Sequence, residues 1–127
     1  MKLLFSDFDR TLYVNKNITQ ENLDAINKWQ EMGNLFIIAT GRYKKSIIEQ
    51  MKNFLLKPDY YICNNGAVIL DKEQNTIFFK YIPNQEIEQI IQYIYKNYEN
   101  SLEIIEKERT IKIMNDVGID NHHSVDI

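Results

Sequence analysis

Along the first half of the chain, apolar runs and mixed polar segments follow one another in an order that predicts strands separated by helices. Three short apolar runs, Leu3–Phe5, Leu35–Ala39 and Tyr60–Cys63, each end abruptly in polar residues. Such runs are typical of buried parallel strands. The segments between them carry apolar residues at helical spacing. A strand, helix, strand, helix, strand order with short connections predicts a parallel α/β sheet, in which ligands collect beyond the carboxyl ends of the strands.

Both predicted helices have recognisable ends. Thr19 is expected to cap the first helix, and Gly33 is expected to end it because glycine accepts the left-handed conformation that follows helices. The second helix is expected to close at Lys57-Pro58. The side chains predicted to face the core are Leu23, Ile26, Trp29 or Gln30, and Met32 from the first helix, and Ile47, Ile48, Met51, Phe54 and Leu55 from the second.

The pattern changes after Ala67, and this change divides the chain into a core part, residues 1–82, and a partial second domain, residues 83–127. A first hairpin is predicted at the end of the core part, and a helix and a second hairpin are predicted beyond it. The tail from Asn115 gives no strong signal. The predicted elements are strands at Val68 to Leu70 and Ile77 to Tyr81, a helix opened by Pro83-Asn84 with Ile87, Ile90, Ile91, Ile94 and Tyr98 on its apolar face, and strands at Leu102 to Ile105 and Thr110 to Met114.

The first apolar run ends in two carboxylates one residue apart, Asp7 and Asp9. Because side chains alternate along a strand, both are expected to leave the backbone on the same side. Two such charges repel unless a cation neutralises them, and carboxylate oxygens suit a hard cation such as Mg²⁺. Thr11 adds a hydroxyl in the same loop. The alternative is that these residues only stop the strand and cap the following turn.

The other two strand ends carry polar segments as well. Thr40-Gly41-Arg42 offers a hydroxyl and a free backbone N–H where glycine lets a phosphate approach, although it also fits an ordinary N-cap and turn. Asn64-Asn65-Gly66-Ala67 fits a tight turn, and this interpretation is compatible with a place beside a ligand.

These three ordered motifs resemble those of the haloacid dehalogenase-like (HAD) phosphohydrolases: Asp-x-Asp-x-Thr at Asp7, then Thr-Gly-Arg at Thr40, then Asn-Gly-Ala at Asn65. The last two are typical of the Cof-type branch (class IIB), whose core is a Rossmann-like parallel sheet with an α+β cap. Arg10 departs from that pattern, because many similar relatives have glycine there.

The resemblance implies a Mg²⁺-dependent phosphatase that acts on a small phosphomonoester, such as a sugar phosphate, through an aspartyl phosphate. It implies that Asp7 is the nucleophile, that Asp9 is the general acid and base, and that both belong to the Mg²⁺ site. The residues expected to bind phosphate or substrate are Thr11, Thr40, Gly41, Arg42, Asn65 and Gly66. The alternative is a non-catalytic remnant that binds phosphate or serves in assembly. A response-regulator receiver domain fits less well, because its acids are typically adjacent.

Composition narrows the remaining possibilities. The 127 residues suffice for one small domain, and a net charge of -3 argues against nucleic acid as the main partner. No apolar run is long enough for a membrane span, and the single Cys63 is expected to be a buried strand residue in a cytoplasmic protein. Lys44 and Lys45 are expected to be exposed, with phosphate binding as the alternative. The His122-His123 pair is expected to be solvated, with metal binding as the alternative.

The resemblance also implies that something is missing. Cof-type relatives are considerably longer, and their returning second half supplies a lysine and an acidic motif for the Mg²⁺ site that this sequence lacks. The first strand would then keep one edge unpaired, which favours association. Three explanations remain open: the chain is a truncated product or fragment that lacks its C-terminal half, it pairs with itself or with another chain, or its tail after Asn115 folds back over the edge. We favour a truncated relative that forms a homo-oligomer, and we predict that another copy of the chain or the tail covers the first strand.

Overall fold

The computed structural model describes residues 1–97, 102–106, 110–114 and 123–126. The chain forms two compact units, Met1–Lys80 and Tyr81–Ile127. The elements of the first unit are β1 (Leu3–Asp7), α1 (Gln20–Glu31), β2 (Leu35–Ala39), α2 (Lys44–Met51), β3 (Tyr60–Cys63), a short 3₁₀ turn (Asn64–Gly66), β4 (Val68–Leu70) and β5 (Thr76–Phe79).

The first unit is built on one five-stranded sheet in the order β1-β2-β3-β4-β5. β1, β2 and β3 are parallel, with Leu3 opposite Leu35 and Asp7 opposite Ala39, whereas β4 and β5 are antiparallel additions. This confirms the predicted HAD-like α/β sheet and its first hairpin. Because the first three strands run the same way, their carboxyl ends lie at one edge of the sheet.

α1 forms where its capping signals predicted it. The Thr19 hydroxyl accepts a hydrogen bond from the Asn22 N–H at 3.3 Å, and Gly33 follows the helix at a φ of 80°. Ile26 is buried in the core, and the Trp29 indole donates to the Leu35 carbonyl at 2.9 Å, which ties the helix to β2. Met32, predicted to face the core, is instead 70% exposed because it lies past the last helical residue.

α2 is shorter than predicted. It ends at Met51, after which Asn53 and Phe54 donate to the carbonyls of Gln50 and Met51 in tight turns. The helical periodicity therefore no longer applies, so Leu55 is 95% exposed and Leu56 takes the buried position. The core otherwise consists of buried side chains from β2, β3, β4, both helices and the loops next to them: Phe8, Leu12, Ile18, Ile26, Phe36, Ile38, Ile47, Met51, Leu56, Tyr61, Cys63, Val68 and Leu70.

β1 corrects the expectation of a buried strand. It pairs with β2 alone and forms one edge of the sheet, and Leu3 and Phe5 are 53% and 56% exposed. Both faces of this strand are partly open, since Leu4 on one face is 38% exposed and Phe5 on the other is 56% exposed. The apolar run therefore predicts the strand correctly, but its prediction that the strand is buried is wrong.

The second unit contains α3 (Asn84–Asn97) and a three-stranded antiparallel sheet of β6 (Leu102–Ile105), β7 (Thr110–Met114) and β8 (His123–Asp126). The helix and the β6–β7 hairpin were predicted, while β8 lies in the tail that gave no signal. β8 pairs with β7 in antiparallel fashion within the second unit. Tyr98, Lys107 to Arg109 and residues 115–122 lie outside the described residues. Within the described ranges, no helix combines the length and apolar character needed to cross a membrane.

Candidate active site

The carboxyl ends of the three parallel strands surround an open cavity of about 370 Å³. β1 contributes its last residue, Asp7, and the loops that follow β2 and β3 contribute polar groups opposite it. The sheet register places these ends together, since Asp7 pairs with Ala39 and Ala39 pairs with Ile62. The residues that line the cavity are Asp7, Ala39, Thr40, Gly41, Ile62, Asn65 and Gly66.

Asp7 is exposed to this cavity and is oriented by its own loop. The Thr11 hydroxyl donates to Asp7 Oδ2 at 3.1 Å, and the Ser6 hydroxyl donates to the Asp7 carbonyl at 2.8 Å. The contact with Thr11 leaves the other carboxylate oxygen, Oδ1, without a hydrogen-bond donor among these side chains. An oriented carboxylate facing an open cavity is the geometry that a nucleophile requires.

Thr40 is held in place by the backbone on both sides. It is 6% exposed, its N–H donates to the Ile62 carbonyl at 2.8 Å, and its carbonyl accepts from the Asn65 N–H at 3.2 Å. Its hydroxyl oxygen accepts from the Arg42 N–H at 3.1 Å, so the hydroxyl hydrogen remains available to a ligand in the cavity. Thr40 can therefore donate to an anion that contacts Asp7.

Gly41 lies against Asn65 across the cavity. A Cβ atom added at Gly41 would lie 3.1 Å from Asn65 Oδ1, which is tighter than ordinary contact. Asn65 and Gly66 belong to the 3₁₀ turn, where their φ values are 52° and 98°. This turn confirms the tight-turn interpretation, and it brings both residues to the wall of the cavity.

Asp9 is not among the residues that line the cavity. Its carboxylate is paired with Arg42 instead: Arg42 Nε donates to Oδ2 at 2.8 Å and Nη2 donates to Oδ1 at 2.7 Å. These hydrogen bonds hold the pKa of the Asp9 carboxyl below its ordinary value, helped by the charges of Arg42 and Arg10, and Asp9 in turn raises the pKa of Arg42. The cation that neutralises this carboxylate is thus a side chain of the second motif.

Three aromatic rings that sequence reasoning did not single out support Arg42. Phe8 and Tyr13 stack with centroids 4.9 Å apart, and the Arg42 guanidinium lies over both, 5.4 Å and 5.9 Å from their centroids. Phe54 meets Tyr13 edge-on at 6.0 Å. The sequence signal that could have identified this pair is the presence of an aromatic residue on either side of the loop after Asp7, Phe8 and Tyr13.

The donor chemistry of the site fits Mg²⁺ in part. Mg²⁺ binds oxygen ligands and commonly keeps several waters, so a carboxylate such as that of Asp7 and a backbone carbonyl such as that of Asp9 are suitable types of protein ligand. The Asp9 carboxylate is occupied by Arg42. Among the residues that the structure describes, no three carboxylate, imidazole or thiol groups come together as a metal site.

The remaining candidates are one cysteine, two lysines of α2 and the two histidines. Cys63 is fully buried, as predicted, and burial raises the pKa of its thiol to about 11, so it is protonated at neutral pH. Lys44 and Lys45 begin α2 and do not line the cavity. His122 lies outside the described residues, and His123 begins β8.

The fold and site define an α/β protein of the Rossmann-like class with an acidic site at the ends of its parallel strands. Residues 4–126 match the haloacid dehalogenase-like hydrolases, and the chain belongs to this family. An uncharacterised protein of Mycoplasma capricolum is 37% identical over 110 residues, which cover 82% of this chain and 41% of that protein.

Two solved structures of the family superpose well on this chain. A haloacid dehalogenase-like hydrolase from B. subtilis is 26% identical with a TM-score of 0.74, and the match covers 83% of this chain and 36% of that one. A sugar phosphatase of HAD subclass IIB is 27% identical with a TM-score of 0.71, covering 87% of this chain and 43% of that one. The chain therefore spans about two fifths of the length of these relatives.

Proposed function

We propose that this chain carries the phosphoryl-transfer site of a Mg²⁺-dependent phosphatase of the Cof-type branch, acting on a small phosphomonoester such as a sugar phosphate. The observation that carries the proposal is the placement of Asp7, an oriented carboxylate in a cavity whose opposite wall holds Thr40 and Gly41. The Thr-Gly-Arg and Asn-Gly-Ala motifs and the likeness to a subclass IIB sugar phosphatase support it.

In the proposed reaction, a carboxylate oxygen of Asp7 forms a bond to phosphorus while the bond from phosphorus to the ester oxygen breaks. The Thr40 hydroxyl and the Gly41 N–H hold non-bridging oxygens of the phosphoryl group, and Asn65 contacts the substrate. The departing alcohol takes a proton from Asp9. Water then attacks the aspartyl phosphate, gives its proton to Asp9, and releases inorganic phosphate and the Asp7 carboxylate.

The ion pair in this structure corresponds to the second half of that reaction. Beside Arg42, Asp9 is an ionised carboxylate, which is the form that accepts a proton from water. To protonate the leaving alcohol, Asp9 must first take up a proton, and the bidentate pair opposes this because it favours the charged form. The arrangement therefore favours the base role over the acid role.

Mg²⁺ held by the Asp7 carboxylate and the Asp9 carbonyl would neutralise charge between the nucleophile and the phosphoryl oxygens. We place the reaction in the cytoplasm, in keeping with the single buried cysteine, which is a free thiol.

Turnover of a generic aryl phosphate with Mg²⁺ tests this function. We expect wild-type turnover that EDTA abolishes, and we expect Asp7→Asn to fall to background because the amide is not a nucleophile. Asp24→Asn, an exposed change on α1, is the matched control and should retain wild-type activity. Equal turnover by wild type and Asp7→Asn would rule out the assignment.

A second candidate is a non-catalytic module that binds phosphate or serves in assembly. The observation that favours it is that the described residues gather no three acidic, imidazole or thiol groups at the cavity, and that Arg42 is already engaged with Asp9. Calorimetry separates the two functions. Binding of inorganic phosphate without turnover of any phosphoester between about pH 5 and 9 would establish this module in place of the enzyme.

A further inference from the structure

The Arg42 side chain has few hydrogen-bonding groups left for a substrate. Its Nε and Nη2 groups contact both oxygens of Asp9, and Nη1 donates to the Ser46 hydroxyl at 3.2 Å. The guanidinium also lies over two aromatic rings and is only 27% exposed. A residue that bound phosphate would instead present its donors to the cavity, and Arg42 is not among the residues that line it.

The rings beneath Arg42 are fixed by their own loop. Phe8 is fully buried, and its carbonyl accepts hydrogen bonds from the N–H groups of Tyr13 at 2.8 Å and Thr11 at 3.4 Å. These bonds close the loop after β1 and stack the Tyr13 ring parallel to Phe8, at an interplanar angle of 8°. Phe54 then packs against the outer ring. We call Phe8, Tyr13 and Phe54 the aromatic platform.

We propose that Arg42 is a positioning residue for Asp9, and that the aromatic platform holds Arg42 where its planar fork fixes both carboxylate oxygens. This inference rests on the proposed function, because it gives Asp9 the proton-transfer role. The Asp9 carboxylate is 46% exposed and has several accessible orientations without a partner. The bidentate contact selects one of them. Asp7 still faces the cavity. Because the two carboxylates have different hydrogen-bond partners, each takes a different role in the reaction.

A positioning role and a phosphate-binding role predict different kinetics. If Arg42 bound the phosphate, its loss would raise KM and weaken the binding of inorganic phosphate. If it positions Asp9, its loss lowers kcat while phosphate affinity holds, because Asp9 still reaches the reacting atoms but less often in the productive orientation. Lysine cannot reproduce the planar bidentate contact, so Arg42→Lys should behave as a loss.

The kinetic experiment compares Arg42→Lys, Arg42→Gln, Tyr13→Leu and Tyr13→Phe with wild type. We expect both Arg42 variants to lower kcat about tenfold or more, because they lose part of the roughly 10² to 10⁴-fold rate enhancement that proton transfer contributes. The dissociation constant of inorganic phosphate should stay within about twofold of the wild-type value. Tyr13→Leu should lower kcat in the same direction, and Tyr13→Phe, which keeps the ring, should restore it. Lys28→Gln, an exposed change on α1, is the control. Weakened phosphate binding with kcat retained in Arg42→Gln would overturn the inference.

If wild type shows no turnover, that result counts against the proposed function and not against the positioning role of Arg42. A crystal structure of Arg42→Lys then tests the positioning role directly. The inference expects Asp9 to leave its wild-type rotamer or to occupy several. An Asp9 carboxylate that keeps one wild-type orientation in Arg42→Lys would show that Arg42 does not position it. Should Arg42→Lys fail to fold, the Tyr13→Leu structure provides the same readout on Asp9.

Discussion

At the residue scale, Gly41 and Gly33 are glycine for different reasons. Their alanine variants should therefore have different effects, one on phosphate binding and the other on the free energy of unfolding. At Gly41 an added Cβ would lie 3.1 Å from Asn65 Oδ1, whereas at Gly33 it would meet nothing within 4 Å. Gly33 has a φ of 80°, where a side chain is strained by about 1–2 kcal/mol. We therefore expect Gly41→Ala to weaken phosphate binding about tenfold, since a shift of Asn65 disturbs the cavity wall.

The matched variant Gly33→Ala should leave phosphate binding unchanged and lower the free energy of unfolding instead. Calorimetric titration with phosphate and urea unfolding measure the two effects on the same samples. If Gly41→Ala lowered stability as much as Gly33→Ala and left binding intact, the cavity would not be the phosphate site.

Cys63 makes the stability of the first unit depend on alkaline pH. Burial raises the pKa of its thiol from 9.0 to about 11, so the unfolded chain loses this proton at lower pH than the folded protein does. The thiol's contribution to stability is therefore fully present below about pH 9. It is lost as pH rises from 9 toward 11, and over this range the unfolding constant increases close to tenfold per pH unit.

Urea unfolding of wild type and Cys63→Ala across this pH range measures the effect. The alanine variant, though less stable throughout because it leaves a small cavity, should lack the thiol's share of the pH slope. Parallel slopes in the two proteins would mean that the thiol ionises as easily in the folded state as in the unfolded one.

The sequence could predict one half of the site but not the other. Asp7, Thr40, Gly41, Asn65 and Gly66 all follow strands whose carboxyl ends must meet, so strand order alone brings them together. The pairing of Asp9 with Arg42 joins residues 33 positions apart and depends on where the aromatic platform folds, which no local pattern encodes. Sequence reasoning therefore assigned Arg42 to the phosphate, and the structure places it on Asp9.

At the element scale, the apolar patterns located the strands better than they located burial. Leu35–Ala39 and Tyr60–Cys63 form strands with the predicted bounds. The helical spacing continued past Met51 and predicted a buried Leu55, but the chain turns there to reach β3, and the spacing has no meaning outside a helix. β8 was missed because its short polar sequence gains its strand structure from pairing with β7.

Among the described strands, β1 lies at one edge of the first sheet and β5 at the other, and we expect the edge of β1 to mediate self-association. Leu3 and Phe5 share one face of this exposed strand. The double variant Leu3→Lys with Phe5→Lys should shift the protein toward monomer in sedimentation, because charges on an edge strand oppose strand pairing. Leu55→Lys, at an apolar loop residue that is 95% exposed, is the control and should leave association unchanged.

Removal of residues 115–127 provides an independent check of this association. Since β8 pairs with β7, the shortened protein should associate through β1 as wild type does. A monodisperse wild-type monomer at high concentration would contradict the prediction.

At the scale of the whole molecule, the order of strands in the first sheet is the order in which they occur along the chain. Each strand finds its partner in the segment made just before it, so no pairing waits for a distant part of the polypeptide. Chains emerge from the ribosome at about 5–20 residues per second, which is slow compared with the microseconds in which helices and hairpins such as β4–β5 form. The five described strands can therefore assemble stepwise during synthesis, starting with β1 and β2, and the edge of β1 that none of these five covers stays exposed to other nascent chains while they form.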